Sequence, residues 1–156
     1  MSFSIQMESL DDQTLVLRPI GPLTVEADLT ALVQPEAKRI IFDLAEVSRI
    51  DSLGVREWIR AMKRLPEQQV VVWERVSPAM CAQIGMISNF VGHGRIASFV
   101  LPWWCESCQS NHTADVQMQD IERSVNTPHQ CPNCGQRMIL DELDEDYIDA
   151  LREHGV

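Results

Sequence analysis

Ile40-Ile41-Phe42-Asp43-Leu44-Ala45-Glu46-Val47-Ser48-Arg49-Ile50-Asp51-Ser52-Leu53-Gly54-Val55 opens with a compact apolar run and ends at the start of a helical pattern. The run Ile40 to Leu44 behind Lys38-Arg39 is what a strand buried on both faces requires. A short loop then leads to a helix from about Ser52 to Leu65. Its apolar residues Val55, Trp58, Ile59, Met62 and Leu65 fall at i, i+3, i+4, i+7 and i+10, one continuous stripe. Arg56, Arg60, Lys63 and Arg64 lie mainly off that stripe, and Pro66 ends the helix because it lacks an N–H. A fully buried strand followed by a one-faced helix is the repeating unit of an α/β sheet.

The flanking sequence repeats this alternation. Phe3 to Met7 and Leu15 to Leu17 alternate with period two around Asp11-Asp12, which reads as a hairpin turn. After Gly21-Pro22-Leu23, a short helix is expected with Asp28 as N-cap, through Leu29, Leu32 and Val33, before Pro35. Gln69 to Trp73 reads as another buried strand. Ser77 caps a helix that has Pro78 in its first turn and runs through Ile84. A break at Gly92 to Gly94 precedes a last strand from Ile96 to Leu101. The order β-β-α-β-α-β-α-β predicts an α/β sheet with packed helices over residues 1–101. Pro102-Trp103-Trp104 marks the expected boundary to a small module over 102–140. An acidic tail follows over 141–156, where Leu143, Tyr147, Ile148 and Leu151 have the spacing of a short amphipathic helix.

Cys105-Glu-Ser-Cys108 and Cys131-Pro-Asn-Cys134-Gly135 dominate the second module. Two C-x-x-C pairs separated by residues 109–130 have the spacing of a structural zinc ribbon, in which four thiolates enclose one tetrahedral Zn²⁺. Pro132 and Gly135 suit the tight turn, because glycine accepts positive φ. Two disulfides would need an oxidising compartment. Met1 begins no apolar leader, so the expected location is cytoplasmic. A redox pair would need only one C-x-x-C. His112 and His129 flank the ribbon, and His129 is read as the one that hydrogen-bonds a thiolate. The fifth cysteine, Cys81, lies in a helical stretch and reads as a buried thiol. Trp103 and Trp104 divide between packing and exposure, and His93 between two glycines reads as a solvated loop residue.

The chain of 156 residues is 45% hydrophobic and carries a net charge of −10, unevenly spread. Residues 1–101 hold 12 acidic and 10 basic side chains, whereas residues 102–156 hold 11 acidic and 3 basic, a net −8. A zinc module of that charge is a poor match for phosphates, so no nucleic acid is expected as its partner and a protein is. No apolar run approaches the roughly 20 residues of a membrane span. The sequence contains no G-x-x-x-x-G-K-[ST] loop, no H-E-x-x-H and no G-x-S-x-G elbow, and four cysteine ligands leave zinc no open position. The expectation is therefore a protein that is not an enzyme.

Asp51 and Ser52 fall at the N-terminus of the basic-faced helix. Either could simply cap it. Unpaired N–H groups there also tolerate an anion, and a phosphate on Ser52 would bring roughly −1.5 to −2 charge.

Residues 3 to 101 resemble the STAS domain of bacterial anti-sigma-factor antagonists. The resemblance rests on Gly21-Pro22-Leu23, on the stretch from Ile40 to Val55, and on Val70-Val71-Val72-Trp73 followed by Val76-Ser77-Pro78. It implies that Ser52 is the serine phosphorylated by a partner anti-sigma-type serine kinase, that Asp51 supports the transfer, and that phosphorylation releases the partner. Leu53 stands where the family motif has a second serine, and it lies off the buried stripe as an exposed apolar contact. The partner-binding surface is then Asp51, Ser52, Leu53, Gly54, Arg56 and Arg60, with the ribbon as a second docking surface. Two alternatives stay open: a thiol redox or zinc-release sensor, and a structural adaptor subunit of a larger signalling or transport assembly. The oligomeric state is not legible.

Overall fold

The computed structural model describes residues 2–141 and 145–156. Strands β1 (Ser4–Ser9) and β2 (Thr14–Leu23) form the expected hairpin, in register from Ser4 opposite Ile20 to Ser9 opposite Leu15. At the turn, the Asp11 carboxylate accepts the Gln13 N–H at 2.8 Å. Strand β3 (Arg39–Asp43) lies parallel to β2, and every residue from Ile40 to Leu44 is buried. The expected helix at 28–33 shrinks to one 3-10 turn, Thr30–Leu32. Asp28 accepts the Thr30 N–H at 3.0 Å, and Pro35 leaves no room for a second turn.

The loop expected after β3 contains a further strand, β4 (Val47–Ile50), which pairs parallel with the end of β2 through Gly21–Val47 and Leu23–Ile50. Helix α1 (Ser52–Arg64), strand β5 (Val70–Glu74), helix α2 (Pro78–Ile84) and strand β6 (Arg95–Ile96) complete the α/β unit. Its sheet runs β1-β2-β3-β5-β6 with β4 attached to β2, and only the β1–β2 pairing is antiparallel. The apolar stripe of α1 seats Trp58 among Phe42, Trp73 and Phe90, with ring centroids 5.5 to 6.2 Å apart. Trp58 Nε1 donates to the Phe90 carbonyl at 3.2 Å, so the burial leaves no orphan donor there. Full burial of such a side chain contributes roughly 2–3 kcal/mol.

At Ala97 the chain changes partners. Ala97 N–H still bonds the Trp73 carbonyl at 2.8 Å, and Val76 bridges Phe99. The same strand then continues as β7 (Ser98–Cys105) into a second, antiparallel sheet with β8 (Ser110–Gln117). Helix α3 (Ile121–Asn126), β9 (His129–Gln130) and β10 (Arg137–Leu140) complete this half-barrel in the order β8-β7-β10-β9. The boundary expected after residue 101 falls inside β7. The two sheets also share one hydrophobic core, from Leu17 through Trp73 and Phe99 to Cys131 and Leu151.

In the tail, helix α4 (Glu145–His154) packs on α2 with Ile148, Ala150 and Leu151 buried and Tyr147 partly so, while Leu143 lies outside the described residues. Gly155 then lies opposite Ile96, and Val156 N–H bonds the Ile96 carbonyl at 3.0 Å, closing the outer edge of β6. No described helix is long and apolar enough to cross a membrane.

Candidate metal centre and partner surface

Two hairpins face each other in the half-barrel. The first turn joins β7 to β8 and carries Cys105 and Cys108; the second joins β9 to β10 and carries Cys131 and Cys134. Both turns have the same backbone device. The residue after the second cysteine takes positive φ, +49° at Gln109 and +75° at Gly135. The second turn is closed by Gly135 N–H to the Cys131 carbonyl at 2.9 Å and Cys131 N–H to the Gln136 carbonyl at 2.8 Å. In the first, Cys108 N–H points at Cys105 Sγ at 3.5 Å. The glycine was legible as a turn residue; the glutamine doing the same work was not.

The four sulfurs lie within 4.8 Å of one another. Cys105 and Cys134 are 3.5 Å apart, and Cys108 and Cys131 3.9 Å. A tetrahedron with metal–sulfur bonds of 2.3 Å has edges of about 3.8 Å, so the cluster is positioned to bind one metal ion. A disulfide would need about 2.05 Å, and all the cysteines are free. Burial works against ionising Cys131, but the Asn133 and Cys134 N–H groups and the neighbouring thiols outweigh it and bring its pKa down to about 6. Hydrogen bonding with Cys134 pushes Cys108 up to about 12.

The histidine beside the cluster is His112, not His129. His112 Nε2 stands 3.7 Å from Cys131 Sγ and 2.9 Å from Ser110 Oγ. His129 instead lies over the Trp103 ring at a centroid distance of 4.0 Å, with its Nε2 3.3 Å from the Ser124 carbonyl. The register explains the exchange: His112 sits opposite Trp103 on β8, one short step from the Cys105–Ser110 pair. Cys81 is a buried thiol whose pKa burial pushes up to about 12, which disfavours its thiolate.

The second group of residues gathers at the start of α1. Asp51 is the N-cap; its carboxylate accepts the Gly54 N–H at 2.8 Å, and its own N–H donates to the Leu23 carbonyl at 3.2 Å. Ser52 occupies the first helical position and is exposed, as is Leu53. Gly54 is buried: a Cβ there would stand 2.0 Å from the Leu23 carbonyl oxygen, so glycine is what lets α1 approach β2. Arg56 and Arg60 lie on the exposed face, both beside Glu57 at 3.4 and 3.0 Å. Sequence reasoning missed the groove beside Ser52. It measures about 490 Å³ and is lined by Ile50, Val55, Gln83, Met86 and Ile87 together with Asp51 and Ser52. Met86 is 73% exposed there. Its signal was the apolar pair Met86-Ile87 continuing past the glycine that ends α2.

A third charged group spans the α/β sheet. The buried carboxylate of Asp43 takes hydrogen bonds from Arg18 at 2.9 Å and from Arg75 at 3.0 and 2.6 Å. Burial opposes its ionisation, yet the two guanidinium groups hold it below the ordinary carboxylate range. Arg75 N–H also bonds Ser98 Oγ at 2.8 Å, tying this network to the first residue of β7. Compared with known proteins, the chain matches no family model and no curated protein.

Proposed function

We propose that this chain is a non-enzymatic regulatory module that binds a protein partner and resembles the STAS anti-sigma-factor antagonists. The partner docks on the N-terminal half of α1 and the groove beside it. One observation carries the reading: Ser52 is exposed at the first position of α1, on the rim of an apolar groove lined by exposed Met86, with exposed Leu53 next to it in the helix. Exposed apolar side chains around a polar switch residue fit a docking surface better than a solvated cap. Phosphorylation of Ser52 by an anti-sigma-type serine kinase would place a dianion inside that surface and weaken the contact. The four cysteines hold one structural Zn²⁺, which stabilises the half-barrel and the sheet edge it shares, and the ribbon offers a second docking surface.

The test is the denatured mass of the protein purified from its own cells, with and without phosphatase. A phosphatase-sensitive phosphate mapped to Ser52 supports the switch. An unmodified mass under several growth conditions refutes it. A zinc-release sensor is the second reading, favoured by the exposure of Cys108 and Cys134. Retention of the metal under mild peroxide would rule it out.

A further inference from the structure

We infer that His112 is a positioning residue for the metal centre, the side-chain donor that holds the sulfur of Cys131; this rests on the reading of the cluster as a zinc site. The four ligand sulfurs are not equally placed. Cys108 and Cys134 are exposed and can be solvated, whereas Cys105 and Cys131 are buried. A buried thiolate without donors is costly, so each buried sulfur needs protein N–H groups. Cys105 receives the Cys108 N–H. Cys131 is approached by the N–H groups of Asn133 and Cys134, and from the opposite hairpin by His112 Nε2 at 3.7 Å. Among the described residues, His112 is the only side chain outside the quartet with a polar atom in hydrogen-bond range of a cluster sulfur.

Two partners share the ring nitrogen. His112 is half-buried on β8, and Ser110 Oγ lies 2.9 Å from the same nitrogen. With all four sulfurs ionised around a dication the centre carries about −2, and the Nε2–H tautomer of neutral imidazole donates to Cys131 with Ser110 Oγ as a shared acceptor. The contact crosses from the first hairpin to the second, so it also sets the distance between the two halves of the site. Donors of this kind typically change metal affinity 10- to 100-fold when removed.

The experiment uses the full chain and metal alone as the probe: Co²⁺ titration followed by its visible absorption, then Zn²⁺ competition and release to a chelator. His112→Leu removes the donor and is expected to weaken affinity at least about 10-fold and to speed release by a similar factor. His112→Gln carries an amide N–H at about the same reach and is expected to recover most of the loss. Circular dichroism of the metal-loaded variants reports whether the half-barrel is intact. Wild-type affinity and release in the leucine variant would overturn the inference. So would a glutamine variant as weak as leucine, which would assign His112 to packing against Trp103. A wild-type chain that binds neither ion would overturn the metal reading itself.

Discussion

Replacing Gly54 by alanine sets two effects of opposite sign against each other. In a helix, alanine is favoured over glycine by about 1 kcal/mol, so propensity alone predicts a more stable protein. The packing predicts the reverse. The new Cβ would stand 2.0 Å from the Leu23 carbonyl oxygen, 2.6 Å from its carbon and 3.2 Å from Ile50 Cγ1. Two of these three atoms are backbone, in a strand end paired with β4, so no side chain can swing aside. Ordinary contact begins near 3.4 Å, so α1 would have to withdraw by about 1.4 Å. That shift breaks the Asp51–Leu23 hydrogen bond and lifts Trp58 from the ring cluster of Phe42, Trp73 and Phe90. Overpacking at the upper end of its usual range, about 3 kcal/mol, plus about 1 for the lost hydrogen bond, outweighs the propensity gain. The net loss is about 3 kcal/mol. For a chain of this length that lowers Tm by about 6–12 °C. Urea unfolding of the metal-loaded protein, followed by tryptophan fluorescence, measures it. An alanine variant as stable as the parent, or more so, would falsify the packing of α1 described above.

Four further outcomes are expected. Asp43→Asn leaves two guanidinium groups facing a neutral amide; because both arginines reach solvent, the loss is about 2 kcal/mol rather than the larger cost of a fully buried pair, read by urea unfolding at pH 7. The folded-state pKa of Asp43 lies below its unfolded value, so the parent's advantage over this variant is full above about pH 4 and vanishes as pH falls through the folded pKa; an advantage that grows on acidification would refute the ion pair. Asp51→Ala removes the cap and costs about 1 kcal/mol, whereas Ser52→Asp puts a carboxylate at the helix start and gains about 0.3–1, so thermal melts of the two variants should move in opposite directions. Gln109→Gly relieves a left-handed residue in the first cysteine turn and should raise stability by about 1 kcal/mol without changing the cobalt spectrum. Binding requires four thiolates, so metal affinity should fall as pH falls from 8 to 6, and Cys131→Ser should remove most of it.

The sequence carried the α/β unit because its signals were local. The apolar run at Ile40 to Leu44 and the stripe from Val55 to Leu65 each announce an element without reference to any other. The metal quartet was legible for the same reason, since C-x-x-C is a spacing. Strand β4 escaped because Val47–Ile50 exists only by pairing with the end of β2, and half of its residues are exposed. The exchange of His129 for His112 had a similar cause. Which histidine faces a sulfur depends on the β7–β8 register, and proximity along the chain says nothing of that. The groove beside Ser52 joins residues from β4, α1 and the end of α2, three segments whose proximity only the tertiary packing creates.

Strand β7 has a consequence for how the chain is made. Translation delivers β5 and β6 long before the segments that complete them. The Val76–Phe99 bridge and the Arg75–Ser98 hydrogen bond commit β7 to the α/β sheet as soon as it emerges, while its far end, Cys105, waits for Cys131 and Cys134. The outer edge of β6 waits longer still, for Met118 at Ala97 and for Gly155 and Val156 at Ile96. A nascent chain that still lacks these late segments presents a half-finished edge to its neighbours on the polysome, where unpaired strands find one another most readily.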